Sequence, residues 1–343
     1  MNNAMLRIRA IASYVPDTTE FHAVQAQERN IGYGHLLYKA AAFALPRGKG
    51  KIDEEEEQRL LPPAAISLPV APPLQSHADL ALEAVAVLRQ QLTPQTLAEI
   101  THIVVTNAAL NQRINESVAG RIQHALGLPD ALPFAIGQSG SAGVFNALSI
   151  IEALVSTGAK VLLVASDKWL YPFFRSWGEL VVYGDGAAAI LLDAAPEQLD
   201  QPSSDNDQGW GSIRASAMHY GEAIDNPWGL APLALAEMLH PLAVSAAQSA
   251  LERSGLGVAD IDWVLPAGFN DNFTLGVSKA LGIPPERHFE RGAHGHQSSA
   301  DPLLSLLRLR AALLPGKKAT TLLWDAALCG MAGAMVVEIT AAQ

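Results

Sequence analysis

The sequence predicts an α/β protein built from two copies of one βαβαβ unit. Two long segments run through the same order of apolar strand, polar loop and helix: THIVVTNAALNQRINESVAGRIQHALGLPDALPFAIGQSGSAG at 101–143 and DIDWVLPAGFNDNFTLGVSKALGIPPERHFERGAHGHQSSA at 260–300. They share the near-identical hexads HALGLP (124–129) and KALGIP (279–284), and self-similarity on this scale defines architecture before any single motif does. Short continuous apolar strands alternate with helical stretches, the pattern of mostly parallel sheets buried on both faces. A hydrophobic content of 49% with only 17% charged residues supplies a core large enough for such a sheet.

The opening segment MLRIRAIASYVP alternates apolar and polar residues and stops at Pro16, which predicts a strand. Residues 43–75 change character, with the charge run RGKGKIDEEEE followed by the proline-rich LPPAAISLPVAPP, and are expected to form an exposed excursion. HADLALEAVAVLRQQL has helical spacing, HIVVTNA is a short buried strand, and INESVAGRIQHALG is a helix stopped by Gly127. A strand at PFAIGQSG leads into the helix SAGVFNALSIIEALVSTG, and AKVLLVASD follows as a second buried strand. ELVVYGDGAAAILLD predicts two strands joined at the YGDG turn, where Asp185 is a turn residue.

The second copy repeats the scheme with a helix near 234–254, strand IDWVLPA, helices FTLGVSKALG and DPLLSLLRLRAALL, and strands ATTLLWDA and AGAMVVEI. The expected division is 1–198 for the first half and 199–343 for the second.

Composition excludes several functions. A net charge of −11 argues against a nucleic-acid surface, which needs clustered Lys and Arg. A single cysteine, Cys329, rules out an internal disulfide and any multi-Cys metal site, and it reads as a buried small residue. No cluster has metal-ligand spacing, so no metal is expected. The chain begins without a secretory pattern and contains no run near the roughly 18 apolar residues of a membrane span, so a soluble cytoplasmic protein is expected.

Counting twelve positions from Pro129 and from Pro284 reaches Ser141 and His296, each preceded by glycine and followed by a leucine-rich helix. A potential nucleophile and a potential base thus stand in corresponding slots, beyond the strand C-termini where such sheets bind ligands. Serine needs an adjacent base, and Asp301, five residues after His296, is placed to accept the second imidazole N–H. Each residue also has a structural reading: Ser141 as a helix N-cap, His296 as a satisfied core histidine, Asp301 as the cap before Pro302. Ser139 is the competing nucleophile and His294 the competing histidine. GQSGSAG lacks the glycine offsets of a nucleophile elbow, which disfavours an ordinary α/β-hydrolase.

Several segments resemble the ketoacyl-acyl-carrier-protein synthase III group of the thiolase fold. They are ASYVP, SVAGRIQHALGLP, YGDGAAAILL against (F/Y)GDGAxAxxL, IDWVLPAGFN against a strand ending PHQxN, and GAHGHQSSAD against HGNxSAAS. The resemblance implies a layered α-β-α-β-α sandwich and a dimer, either of identical chains or with a synthase III-like paralogue. It also shows departures. Ser141 stands at the cysteine nucleophile's position, Ala267 at the histidine of PHQxN, and His296 at the asparagine of HGNxS.

With Ala267 one donor for decarboxylative condensation is gone, a loss worth on the order of 10²–10³ in rate. The expected activity is therefore serine-dependent acyl transfer in polyketide- or fatty-acid-type secondary metabolism. The acyl group would come from acyl-CoA or an acyl-carrier protein, with no other cofactor, and pass to a small-molecule or carrier acceptor. A starter-unit condensing synthase and a catalytically silent subunit are the alternatives. Gly330, in CGMAG, resembles the family loop that supplies an oxyanion N–H beside the one at the helix start. Arg175 and Trp177, in KWLYPFFRSWGE, are candidates to wall an acyl tunnel, with core packing the simpler reading.

Overall fold

The computed structural model of the chain describes residues 4–24, 61–62, 66–108, 111, 115–169, 175–196, 210–224, 227–291 and 295–341. Most of the expected excursion at 43–75, His294, and residues 170–174 of the aromatic stretch lie outside them.

The first copy contributes β1 (Ala4–Tyr14), β4 (His102–Thr106), β5 (Leu132–Ile136), β6 (Lys160–Asp167) and β7 (Gly186–Pro196), with a minor pair of β2 (Thr18–Glu20) and β3 (Ser67–Pro69). Its helices are α1 (His77–Arg89), the short α2 (Pro94–Ala98), α3 (Val118–Leu126) and α4 (Gly143–Leu154). The second copy contributes β8 (Gly211–Tyr220), β9 (Trp263–Pro266), β10 (Lys318–Ala327) and β11 (Met331–Thr340). Its helices are α5 (Pro232–Ser254), α6 (Asp271–Leu281) and α7 (Asp301–Ala312).

Hydrogen-bonded neighbours run β5-β4-β6-β7-β1-β8-β11-β10-β9, so the two copies meet back to back at the antiparallel β1–β8 pairing of Leu6–Ile8 with Gly211–Ile213. In the second copy the counterpart of β5 shrinks to one bridge, Val264 to His288. The hexads that revealed the duplication are helix ends: Ser117 caps α3 and Gly127 closes it at φ +68°, while Asn270 caps α6 and Gly282 closes it at φ +74°. Left-handed closure is where glycine costs least.

Three apolar clusters build five layers. Leu80, Leu88 and Ile122 of α1 and α3 pack on Ile103, Val105 and Val164 of the first sheet half. Val144 and Phe145 of α4, with Leu303 and Leu306 of α7, lie between the inner faces of both halves. Leu235, Leu239 and Val277 of α5 and α6 cover Val264, Trp324 and Val336 of the second half. The order is helix, sheet, helix, sheet, helix. Among the described residues no helix is long and apolar enough to cross a membrane.

Two expectations of local structure change. The strand expected before YGDG is absent: Val181 and Tyr183 make only single bridges, to Phe269 and His296. β8 was not anticipated, because its buried positions are largely small residues such as Ala215, Ser216 and Ala217, which give no apolar run.

Candidate active site

The two central helices each start from a one-turn 3-10 segment, Gly140–Ala142 before α4 and Ser298–Ala300 before α7. Both first residues sit in the left-handed region, Gly140 at φ +53° and Ser298 at φ +49°. The structural counterpart of Ser141 is therefore Ser299, not His296. The count from the prolines slips by three because the second copy spends three more residues reaching its helix. β6 and β10 match in the same way, Lys160–Asp167 against Lys318–Asp325, so Asp167 and Asp325 correspond.

The pairings cross between copies. Ser299 donates its hydroxyl to Asp167 and to the Thr106 carbonyl, and Asp167 also accepts the Ala108 N–H at 2.7 Å and the Ser299 N–H at 3.0 Å. That cluster is closed. Its mirror is open. Ser141 is buried at 2% exposure, yet its Oγ and the Oδ2 of fully buried Asp325 have no hydrogen-bond partner among the described residues. Buried polar atoms without partners are uncommon and mark places where a ligand or chemistry can complete the set. Ser139 differs, because its hydroxyl is taken by Asn146 Nδ2 at 2.6 Å.

His296 is fully buried in the same region. Its Nε2 lies 3.2 Å from Asp325 Oδ1, which also accepts the Ala326 N–H at 2.7 Å. Its Nδ1 stands 3.8 Å from Asp301 Oδ2, without a hydrogen bond. Asp301 is occupied by Arg291 and by the backbone N–H groups of Gly268 and Gln297, so it holds the loop as well as facing the ring. Burial alone would lower the His296 pKa, but Asp325 and then Asp301 outweigh it and raise the value above 6.5. Burial likewise resists ionisation of Asp301, and Arg291 and His296 overcome it to hold its pKa low.

Ser141 and His296 make no hydrogen bond with each other. Tyr183 packs against the imidazole. Its ring lies 4.9 Å away between centroids, and its phenol is near enough to Ser141 for that side chain to offset part of the burial that raises the phenol pKa. Gly140 brings the serine in close: a Cβ there would stand 2.6 Å from Ala327 Cβ and 3.4 Å from Cys329 Sγ. Cys329 thus borders the site, but burial raises its thiol pKa and makes it a poor nucleophile.

The remaining sequence candidates are committed elsewhere. The Gly330 N–H donates to the Ala327 carbonyl at 3.0 Å, so it is not presented to a substrate oxyanion, and its φ of +89° marks a turn glycine. Arg175 is 3% exposed and grips Asp185 through two bonds of 2.7 and 3.2 Å, while Trp177 is 1% exposed in the core. Both buttress Tyr183, Arg175 through the backbone and Trp177 through its ring. Asp185 is more than a turn residue, since it also accepts the Ala71 and Trp169 N–H groups. Buried Ala267 sits beside a cleft of about 700 Å³ lined also by Gly268, Asn270 and Arg291.

Sequence reasoning missed Asp325 and Tyr183. The signal for Asp325 was a lone carboxylate in LLWDAA, since a buried acid must have a partner. Tyr183 was absorbed into its signature motif.

Comparison with known proteins agrees with this architecture. Residues 251–339 match the family model for the C-terminal part of 3-oxoacyl-[acyl-carrier-protein] synthase III. The chain is 26% identical over 215 residues to β-ketoacyl-[acyl-carrier-protein] synthase III of Erythrobacter litoralis, covering 57% of this chain and 62% of that one. Against the enzyme of that name from Coxiella burnetii the identity is 27% over 259 residues, covering 70% and 77%.

Among solved structures, the acyltransferase ChlB3 superposes with a TM-score of 0.70 at 19% identity, covering 98% of each chain. The synthase III of Thermus thermophilus gives 0.67 at 20%, covering 96% and 98%. The priming β-ketosynthase of the R1128 polyketide pathway gives 0.64 at 20%, covering 100% and 98%. The duplicated halves, the five layers and these superpositions agree on a thiolase-like fold, and the sequence is similar to that of the ketoacyl-acyl-carrier-protein synthase III enzymes, with the family-model match confined to residues 251–339.

Proposed function

We propose that the protein is a serine-dependent acyltransferase that takes an acyl group from coenzyme A or an acyl-carrier protein onto Ser141. The observation that carries this reading is the open Ser141 hydroxyl, buried and unpartnered at the start of α4, while its counterpart Ser299 is sealed by Asp167. His296 is the base. The bracketing carboxylates, Asp325 at hydrogen-bond distance and Asp301 beyond it, orient the ring and stabilise the imidazolium formed when the serine proton arrives. The ring must close on Ser141 as substrate enters; catalytic contacts are often long before that.

The acyl-serine is then passed to an acceptor. Relatives named as β-ketoacyl synthases and a neighbour named as an acyltransferase support acyl chemistry. A neighbour from a polyketide pathway supports a place in secondary metabolism; a cytoplasmic dimer drawing on acyl-CoA completes the reading. Ala267 in place of a donor argues against condensation.

Intact-mass analysis after incubation with short and medium acyl-CoAs tests the reading. The expected result is an acyl adduct on the wild type that disappears in Ser141→Ala. An adduct that survives Ser141→Ala, or no adduct with any donor, sinks the proposal. A second reading, a silent subunit, is favoured by the missing Ser141–His296 bond and the committed Gly330 N–H. It gains if no adduct forms and the protein co-purifies with a cysteine-bearing paralogue.

A further inference from the structure

We propose that Tyr183 is a further catalytic residue, whose phenol O–H donates to the thioester carbonyl oxygen as Ser141 attacks it. This rests on the acyl-serine reading above and names an electrophilic donor to act beside the N–H at the helix start. An attacked thioester places negative charge on its carbonyl oxygen, and a donor fixed beforehand at that spot is usually the largest single contribution to rate. The Gly330 N–H, a donor that the family pattern offers for this oxygen, is bonded to the Ala327 carbonyl.

Tyr183 is built to fill the gap. Its N–H donates to the Arg175 carbonyl at 2.6 Å. The flanking backbone is tied to His296 by His296 N–H to Val182 O at 2.8 Å and Gly184 N–H to His296 O at 2.9 Å. Its ring stacks on Trp169 at 4.5 Å and 27°, meets Trp177 edge-on at 5.8 Å, and lies against His296 on a further side. The buried Arg175–Asp185 pair pins the segment on either side. A side chain so held loses little entropy on engaging a ligand.

The phenol also stays a donor. Burial first, and then the Asp325 carboxylate, push its pKa well above 10, so the proton is retained at working pH.

The step balances without any other reactant. Ser141 Oγ bonds to the carbonyl carbon, and the π pair moves to the oxygen, which accepts the Tyr183 hydrogen bond without taking the proton. The serine proton goes to His296. Collapse breaks the carbon–sulfur bond, and the thiolate leaves with the proton from His296.

Tyr183→Phe keeps the stacked ring and removes only the hydroxyl. Single-turnover acylation by acyl-CoA is expected to slow by about 10²–10³-fold. Affinity for a non-transferable acyl-CoA thioether and the melting temperature should stay at wild-type values. Difluorotyrosine placed at 183 supplies the second arm: a more acidic phenol should change the acylation rate, which a packing role would not. Wild-type acylation in Tyr183→Phe overturns the inference, as does loss of rate only in step with thioether affinity. If Tyr183→Phe does not fold, a rate unmoved by difluorotyrosine overturns it. If the wild type forms no Ser141 ester, the acyltransfer reading itself falls; if it does and Tyr183→Phe keeps pace, only the role of Tyr183 falls.

Discussion

Replacing Arg175 with methionine tests the frame around the site. The guanidinium and the Asp185 carboxylate are 2% and 0% exposed as side chains, and two bonds of 2.7 and 3.2 Å join them. The same guanidinium donates to the Trp169 carbonyl at 3.0 Å. Methionine fills similar volume but leaves a buried carboxylate with, among the described residues, only the Ala71 and Trp169 N–H groups as donors. Breaking such a pair from one side costs about 3–5 kcal/mol, chiefly through the charge left behind. With an unfolding entropy of about 2.1 cal/mol/K per residue over 343 residues, this lowers the melting temperature by about 4–7 °C. Calorimetry measures the loss directly. Adding Asp185→Asn should recover part of it, because the uncompensated charge is gone while the amide oxygen still accepts one of the two N–H groups. A drop of less than about 1 °C in the single variant refutes the reasoning, and so does a double variant no better than the single.

The paired serines give opposite expectations. Ser299→Ala should lose about 1.5–3 kcal/mol in a denaturant titration, because it removes a hydrogen bond to buried Asp167, and should still form the acyl adduct. Ser141→Ala should abolish the adduct without loss of stability, and with a gain if anything, since a buried hydroxyl that makes no hydrogen bond is removed. Acylation kcat/KM should rise with pH as His296 loses its proton, with a midpoint above 6.5 that falls in Asp325→Asn. The stability carried by this raised pKa is present below the unfolded value and is lost as pH rises through the folded one, readable in the pH dependence of the denaturant midpoint. Gly140→Ala forces a left-handed φ of +53° on alanine and a 2.6 Å contact with Ala327 Cβ. It should cost about 1–3 kcal/mol and slow acylation by displacing Ser141, as the same two assays report.

The duplication and the layered fold were legible because helix ends and buried strands write themselves locally. HALGLP and KALGIP announce two helices closed by left-handed glycines, and both structural counterparts exist. Register across the duplication was not legible. The arm between Pro284 and α7 is three residues longer than its twin, and counting from the proline could not see where the extra residues loop out. Ser141 and His296 were therefore picked out by a coincidence of spacing, while the true symmetry mates were Ser299 and Gln138. Contacts between copies were also hidden. The bond from Ser299 to Asp167 spans 132 positions, and the approach of Tyr183 to His296 depends on one bridge between loops.

Duplicated folds begin with two equivalent sites at the pseudo-axis, and the chemistry here follows from how that equivalence is broken. In one site, serine, carboxylate and backbone N–H groups satisfy one another, and the cluster stitches the first half's β6 to the turn before α7. In the other, the same serine and carboxylate make no bond, because Asp325 turns to His296 and the Ala326 N–H, while the Tyr183 ring packs against the imidazole. The first arrangement gains stability by leaving nothing to react. The second forgoes that stability and keeps a hydroxyl, a carboxylate oxygen and an imidazole nitrogen unspent in one buried volume. Unsatisfied groups at that density cost free energy in the empty protein, and the cost is offset only when a ligand or a reaction uses them. The sealed copy thus serves as an internal control: whatever Ser141 does, Ser299 shows the state it would occupy if it did nothing.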